Sequence, residues 1–228
     1  MKDSSETGYD RPALYKTYPD SRRVMLLPPE EFGDFQCHDF QHLLWNRKSV
    51  RKFSEKPLDI GELSVLLWAS TGIHRENRGR DFRTVPSAGA QFPIETYIVV
   101  HDVTGLDRGV YHYNIKDHCL ELLREGDFRE NIIAANLGQK MSGYCPVIFV
   151  WTAIFARTCW RYGERGFRYI YLDAGHQGHA LALAAHSLDM ATTQIGAYLD
   201  DEVNKVIGVD GEQESTVYQS VVGYPVEE

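Results

Sequence analysis

Cysteine is scarce: among 228 residues only Cys37, Cys119, Cys145 and Cys159 occur, all far apart. Without a C-x-x-C pair there is neither a zinc clamp nor a dithiol for exchange, so free thiols in a reducing compartment are expected. Long apolar runs are also lacking. The longest, residues 146–156, is too short to span a bilayer and reads as a buried strand. The N-terminus is polar through Asp10 and has no apolar signal-peptide core, so the expected location is cytoplasmic, with no membrane partner. A formal net charge of −8 leaves no distributed basic surface, which argues against a general nucleic-acid or anionic-membrane binder. No Gly-Lys-Ser/Thr closes a phosphate loop and no G-x-G-x-x-G opens a helix, so neither a P-loop nor a Rossmann site is indicated.

What is present is an apolar content of 43%, 12% of the chain being aromatic, enough to bury the core of one large domain or of one domain with an arm. Residues 1–45 carry Tyr9, Tyr15 and Tyr18 among prolines and charges with little periodicity, and read as an extended arm; residues 46–228 form the domain. Asp59 with Glu62 makes a capping-box pair ahead of a helix that ends near Gly72. Residues 74–85 read as a polar, arginine-rich loop. Residues 94–100, 109–113 and 119–123 predict three strands in a meander, and Asp127 with Glu130 predicts the cap of another helix. Residues 147–154 form the most apolar strand, 168–190 a long helix rich in small residues, and 217–223 a final strand. Helices and strands interleave without regular βαβ alternation, so the class is α+β.

Two stretches carry chemistry. In Arg47-Lys-Ser-Val-Arg-Lys-Phe53 four cations fall within six residues, and Arg47, Ser49 and Arg51 alternate. On extended backbone, side chains two apart share a face, so two guanidinium forks would flank one hydroxyl. That pattern suits a terminal phosphomonoester, whose oxygens match the planar fork; a solvated basic turn is the bland alternative. The second stretch, residues 86–93, runs Pro-Ser-Ala-Gly-Ala-Gln-Phe-Pro directly before a strand. Pro86, Ser87, Ala88 and Gly89 leave backbone amides uncovered for a flat ring, although an ordinary turn has the same composition.

Taken in order, these stretches, Gly109-Val-Tyr-His-Tyr113, Tyr162-Gly-Glu-Arg-Gly-Phe-Arg-Tyr169, Leu172-Asp-Ala-Gly-His176 and Ile195-Gly-Ala-Tyr198 resemble the nitroreductase-fold flavoproteins, specifically the SagB/ThcOx-type dehydrogenases. The resemblance covers nearly the whole chain. It implies a mainly antiparallel central sheet flanked by helices, and FMN held at the interface of an intertwined homodimer. By position it makes Arg47, Ser49 and Arg51 phosphate and ribityl ligands. Pro86 to Gly89 become the segment that a partner chain lays beside the flavin, and Gly196 with Ala197 the backbone that meets the ring.

Known members of that subfamily oxidise thiazoline or oxazoline rings in ribosomal peptides and carry Lys-Tyr before the Gly-Glu-Arg stretch. Here the pair is Arg161-Tyr162. Arginine stays protonated, so Arg161 can stabilise an anion while Tyr162 alone would move the proton. At His176-Gln-Gly-His-Ala180, relatives tend to carry Gln-Asn in the last two places. The sequence ends at Glu228, where many general nitroreductases continue into further phosphate-binding cations, and Arg78, Arg80 or Arg83 are candidates to replace them. Asp173, His176 and His179 step by three as metal ligands can, but the small residues around them suit a packed helix seam, and no metal is expected. The expectation is an FMN-dependent oxidoreductase acting on a heterocycle or a modified peptide. A NAD(P)H-dependent nitro- or quinone-reductase and a non-catalytic partner in a peptide-maturation complex are the alternatives.

Overall fold

The computed structural model describes residues 8–33 and 38–226. Cys37 lies outside these, whereas Cys119, Cys145 and Cys159 are free and buried. In chain order the elements are β1 (Arg22–Met25), α1 (Phe40–Asn46), β2 (Leu58–Asp59), α2 (Ile60–Thr71), β3 (Ile73–Asn77), β4 (Arg80–Arg83), β5 (Ile94–Val100), β6 (Val103–Thr104), β7 (Gly109–Asn114), β8 (Cys119–Glu125), α3 (Arg129–Ala135), α4 (Met141–Tyr144), β9 (Val147–Ile154), α5 (Ala156–Tyr162), α6 (Gly166–Ser187), β10 (Ala191–Ile195), α7 (Asp200–Ile207) and β11 (Glu214–Gly223). Seven strands form one sheet in the order β1-β8-β7-β5-β9-β11-β10. Every pairing within it is antiparallel.

Both faces of this sheet are covered, which is why β5 and β9 read as continuous apolar runs rather than alternating ones. Ile98 and Val100 of β5, with Phe149 and Trp151 of β9, meet Leu63, Leu66 and Leu67 of α2 and Ile170, Ala174 and Leu181 of α6. Their neighbours Tyr97, Val99, Ile148 and Val150 point the other way, onto Ile132 of α3, Met141 of α4 and Val203 and Ile207 of α7. The α+β class and the mainly antiparallel sheet flanked by helices are therefore the observed architecture.

The Asp59–Glu62 capping box is present: Asp59 Oδ1 accepts from the Glu62 amide at 2.8 Å and Glu62 Oε2 from the Asp59 amide at 2.9 Å. Other expectations need correction. Residues 74–85 are mostly a β-hairpin, β3 with β4, rather than a loop. Asp127 accepts from the Arg129 amide, but Phe128 is the N-cap of α3 and no capping box forms with Glu130. A short helix, α1, capped by Asp39 through the His42 amide, occupies residues 40–46.

The first described segment lies along the sheet. β1 extends it by pairing with β8, from Arg22 opposite Leu122 to Met25 opposite Cys119. Lys16 binds Glu214 and donates to the Tyr97 hydroxyl at 2.8 Å, while Arg157 Nε holds the Ala13 carbonyl at 2.8 Å. Polar anchors thus fix a segment that has little apolar periodicity of its own. No helix among the described residues is long and apolar enough to cross a membrane.

Candidate functional site

After α1 the chain runs extended beside β10, at one edge of the sheet. Ser49 bridges to Thr192, the Val50 amide donates to the Thr192 carbonyl at 3.1 Å, and Thr193 Oγ1 donates to the Val50 carbonyl at 2.5 Å. This backbone clamp sets the alternation expected from sequence, and Arg47, Ser49 and Arg51 all line one open cleft of about 1100 Å³. Lys48 and Lys52 line it too. Among the described residues none of these four cations forms an ion pair. Among the described residues that line the cleft the one carboxylate is Asp189, which is bound to His38 Nε2 at 2.9 Å. A concentration of unpaired cations in a chain of net charge −8 is an anion site in waiting.

No local sequence pattern groups the histidines that border this cleft. The His38 and His42 rings stack at 4.4 Å, and His42 lies 6.4 Å from His186 across from α6. Arg78, Arg80 and Arg83 do not line the cleft. Arg83 is buried, its guanidinium reaching the Thr71 hydroxyl and the Ile94 carbonyl at 3.4 Å, and the other two belong to the β3–β4 hairpin.

Pro86 to Gly89 form a second centre, against α6 and the end of α5. The Ser87 hydroxyl donates to Asp173 Oδ2 at 2.5 Å and accepts from the Phe92 amide at 2.9 Å, and the Ala88 amide reaches Asp173 Oδ1 at 3.3 Å. Burial pushes the Asp173 carboxyl above its ordinary range, against the opposing hydrogen bonds from Ser87 and Ala88. Asp173, flagged in the sequence only for its spacing from two histidines, is the anchor of this loop. No group of three or more His, Cys, Asp or Glu among the described residues is placed to hold a metal.

Gly89 adopts φ +59°, which glycine tolerates at no steric cost. A Cβ there would lie 2.3 Å from the Tyr162 hydroxyl and 3.1 Å from Arg161 Nη1, so the loop, Arg161 and Tyr162 meet at this residue. The Tyr162 ring packs edge-on against Tyr169 at 5.0 Å. Gly196 and Ala197 stand apart from this group, at the end of β10. Gly196 is exposed with nothing within 4 Å of where a Cβ would be, and the Ala197 carbonyl accepts from Gln139 at 2.8 Å. Because Ser49 pairs with Thr192 on the same strand, the Arg47–Arg51 stretch and Gly196 belong to one edge of the sheet. Among the described residues no hydrogen bond joins Arg161, Tyr162 or the Pro86–Gly89 loop to that edge.

A large antiparallel sheet flanked by helices is the frame of a known family. The nitroreductase family model matches residues 44–224, and the chain belongs to that family. A protein of Methanocaldococcus jannaschii, provisionally named a nitroreductase, is 36% identical over 179 residues, covering 78% of this chain and 89% of the relative. A trifolitoxin-processing protein of Rhizobium leguminosarum bv. trifolii is 32% identical over 145 residues; the match takes in 61% of this chain but only 39% of that protein's length. Among solved structures, a nitroreductase-family protein of Anabaena variabilis superposes with a TM-score of 0.76 at 26% identity, covering 91% of this chain and 42% of the other.

Proposed function

We propose that the chain is an FMN-dependent oxidoreductase of the SagB/ThcOx type, working as a homodimer in the cytoplasm and dehydrogenating a thiazoline- or oxazoline-like ring in a modified peptide. The observation that carries this reading is the meeting of Arg161 and Tyr162 at Gly89, on a loop anchored to α6. Likeness to a trifolitoxin-processing protein supports a peptide as the substrate.

The residues present fit a flavin mononucleotide. Arg47, Arg51 and Ser49 line one cleft, and among the described residues the guanidiniums have no carboxylate partner, which leaves their donors for phosphate oxygens. Gly196 presents backbone that no side chain covers, as close approach by a flat ring requires. When bound, a flavin supplies hydride acceptance and passes electrons to oxygen or another acceptor. The protein's own part is positioning and proton movement. Tyr162, through its hydroxyl, is the proton-transfer group, and Arg161 remains cationic and stabilises negative charge developing on the substrate. The separation of the two residue groups within one chain supports a site completed by a second copy, with Pro86 to Gly89 of one protomer facing the cleft of the other.

The test has two stages. The purified protein should be yellow and release FMN on denaturation; a colourless protein that takes up no FMN would end the proposal. A thiazoline peptide should then bleach the flavin without oxygen. Arg161 in the lysine position and the 36% identity to a protein provisionally named a nitroreductase favour a second reading, a NAD(P)H-dependent nitro- or quinone-reductase. Rapid NADPH oxidation with a nitroarene, and no bleaching by the peptide, would select it.

A further inference from the structure

A cavity of about 470 Å³ opens between the first described segment, the β3–β4 hairpin and α5, within the ~300–1,000 Å³ range of ligand sites. Among the described residues its lining includes Arg11, Arg80, Lys116 and Arg157 against a single carboxylate, Asp81. That carboxylate is already taken, by Lys116 at 2.6 Å and by the Tyr15 hydroxyl at 2.5 Å. Arg157 is likewise paired, with Glu95. Arg11 and Arg80 are exposed and form no ion pair among the described residues. The guanidinium carbon of Arg11 lies 5.3 Å from the centre of the Trp160 ring, which gives the head group a flat support while leaving its edge donors free.

The cavity wall is also linked to the candidate catalytic pair. Ala90 and Gln91 in its wall continue the Pro86–Gly89 loop. Gln91 accepts from Trp160 Nε1 at 3.0 Å and donates to the Gly89 carbonyl at 2.6 Å, which ties the cavity wall to the residue that touches Tyr162. We propose that this cavity is a second subsite that holds an acidic peptide segment of the substrate through Arg11 and Arg80, upstream or downstream of the ring being oxidised. The assignment rests on the peptide reading of the function. Two unpaired guanidiniums carried by different segments suit carboxylates spaced along a chain, and a cationic patch on an acidic protein selects for such a partner.

The experiment is fluorescence anisotropy of the whole protein with a fluorescein-labelled peptide of alternating glutamate and glycine, and with its glutamine-for-glutamate copy. The glutamate peptide should bind, and its affinity should drop by roughly tenfold or more in Arg11→Glu/Arg80→Glu, because two attractions become repulsions. Both residues are exposed, so the fold should be unaffected, and Arg11→Gln/Arg80→Gln should fall between the parent and the reversed form. Equal binding of the two peptides, or a loss under about threefold on charge reversal, would overturn the proposal. So would displacement of the peptide by NADPH at lower concentration than by unlabelled peptide, since the cavity would then be a phosphate site. Flavin content is read separately: a colourless parent that still binds the glutamate peptide sinks the flavin reading and leaves this subsite standing.

Discussion

Arg47 and Arg51 alternate with Ser49 because the backbone beside Thr192 is held extended, and both line the same cleft with no carboxylate among the described residues to satisfy them. If they grip the phosphate, each charge-assisted contact is worth roughly 1.5–3 kcal/mol, and Arg47→Ala with Arg51→Ala should weaken flavin binding by orders of magnitude. The ratio of flavin to protein absorbance after purification measures it, and full occupancy in the double variant would show the assignment to be wrong. Tyr162 carries the expectation for chemistry. Tyr162→Phe should keep its flavin yet slow anaerobic bleaching by a thiazoline peptide roughly 10²–10⁴-fold, the range for a lost proton-transfer group. Arg161→Lys should preserve or raise that rate, since lysine can surrender a proton and arginine cannot. Bleaching of Tyr162→Phe at the parent rate would make the pair structural.

At the scale of elements, the Pro86–Gly89 loop stays on α6 through one carboxylate. Asp173→Ala would leave the Ser87 hydroxyl and the Ala88 amide without their acceptor, which should cost about 1–3 kcal/mol in urea unfolding; Asp173→Asn, which keeps an oxygen, should cost less. Equal stability of Asp173→Ala and the parent would mean that the loop does not need this anchor. Asp173 also illustrates what can be read from a sequence. Its spacing from His176 and His179 is a local pattern, whereas its bond to Ser87 joins residues 86 apart and leaves no periodic trace. The elements that announced themselves were those with strong local chemistry: the Asp59–Glu62 box and the apolar strands β5 and β9. The β3–β4 hairpin did not, because β3 is exposed along most of its length and shows no apolar alternation. Helix α1, seven residues with none buried, lacks the periodic face that betrays a helix. The alternating arginines were legible because extended backbone alone dictates a shared face. The His38–His42–His186 stack was not, since it is assembled from two helices and the chain before one of them.

For the molecule as a whole, buried ionisable groups set the response to acid. His101 is fully buried; its Nε2 lies 2.9 Å from the Ser142 carbonyl, and its Nδ1 has no partner among the described residues. Burial, only partly offset by that carbonyl and aided by the nearby Arg129 and Arg108, lowers its pKa from 6.5 to about 4. The unfolded chain therefore takes up this proton first, so the stability the neutral ring contributes, on the order of 3 kcal/mol, is intact above pH ~6.5 and is lost as pH falls toward ~4. Glu95 adds to the loss at lower pH: burial would raise its pKa, but Arg157, His112 and Arg83 outweigh that and hold it at about 2. Urea midpoints should fall between pH 7 and pH 4.5, and His101→Gln, which keeps a donor for the Ser142 carbonyl, should flatten that slope; an unchanged slope would remove His101 as the cause. The last expectation concerns assembly. Phe167, Tyr171 and Leu172 of α6 are 39%, 59% and 55% exposed, and α1, which packs against α6, leaves Phe40 and Trp45 uncovered as well. Apolar side chains on two adjoining helices mark an interface, and a second copy related by a two-fold axis would bury them. Tyr171→Glu with Leu172→Glu should therefore convert a dimer into monomers in light scattering, and if the cofactor site is completed by the second copy as proposed, flavin should be lost in step. A parent protein that runs as a monomer and still holds its full complement of FMN would refute the shared site, even if every residue assigned to phosphate and proton transfer were correct.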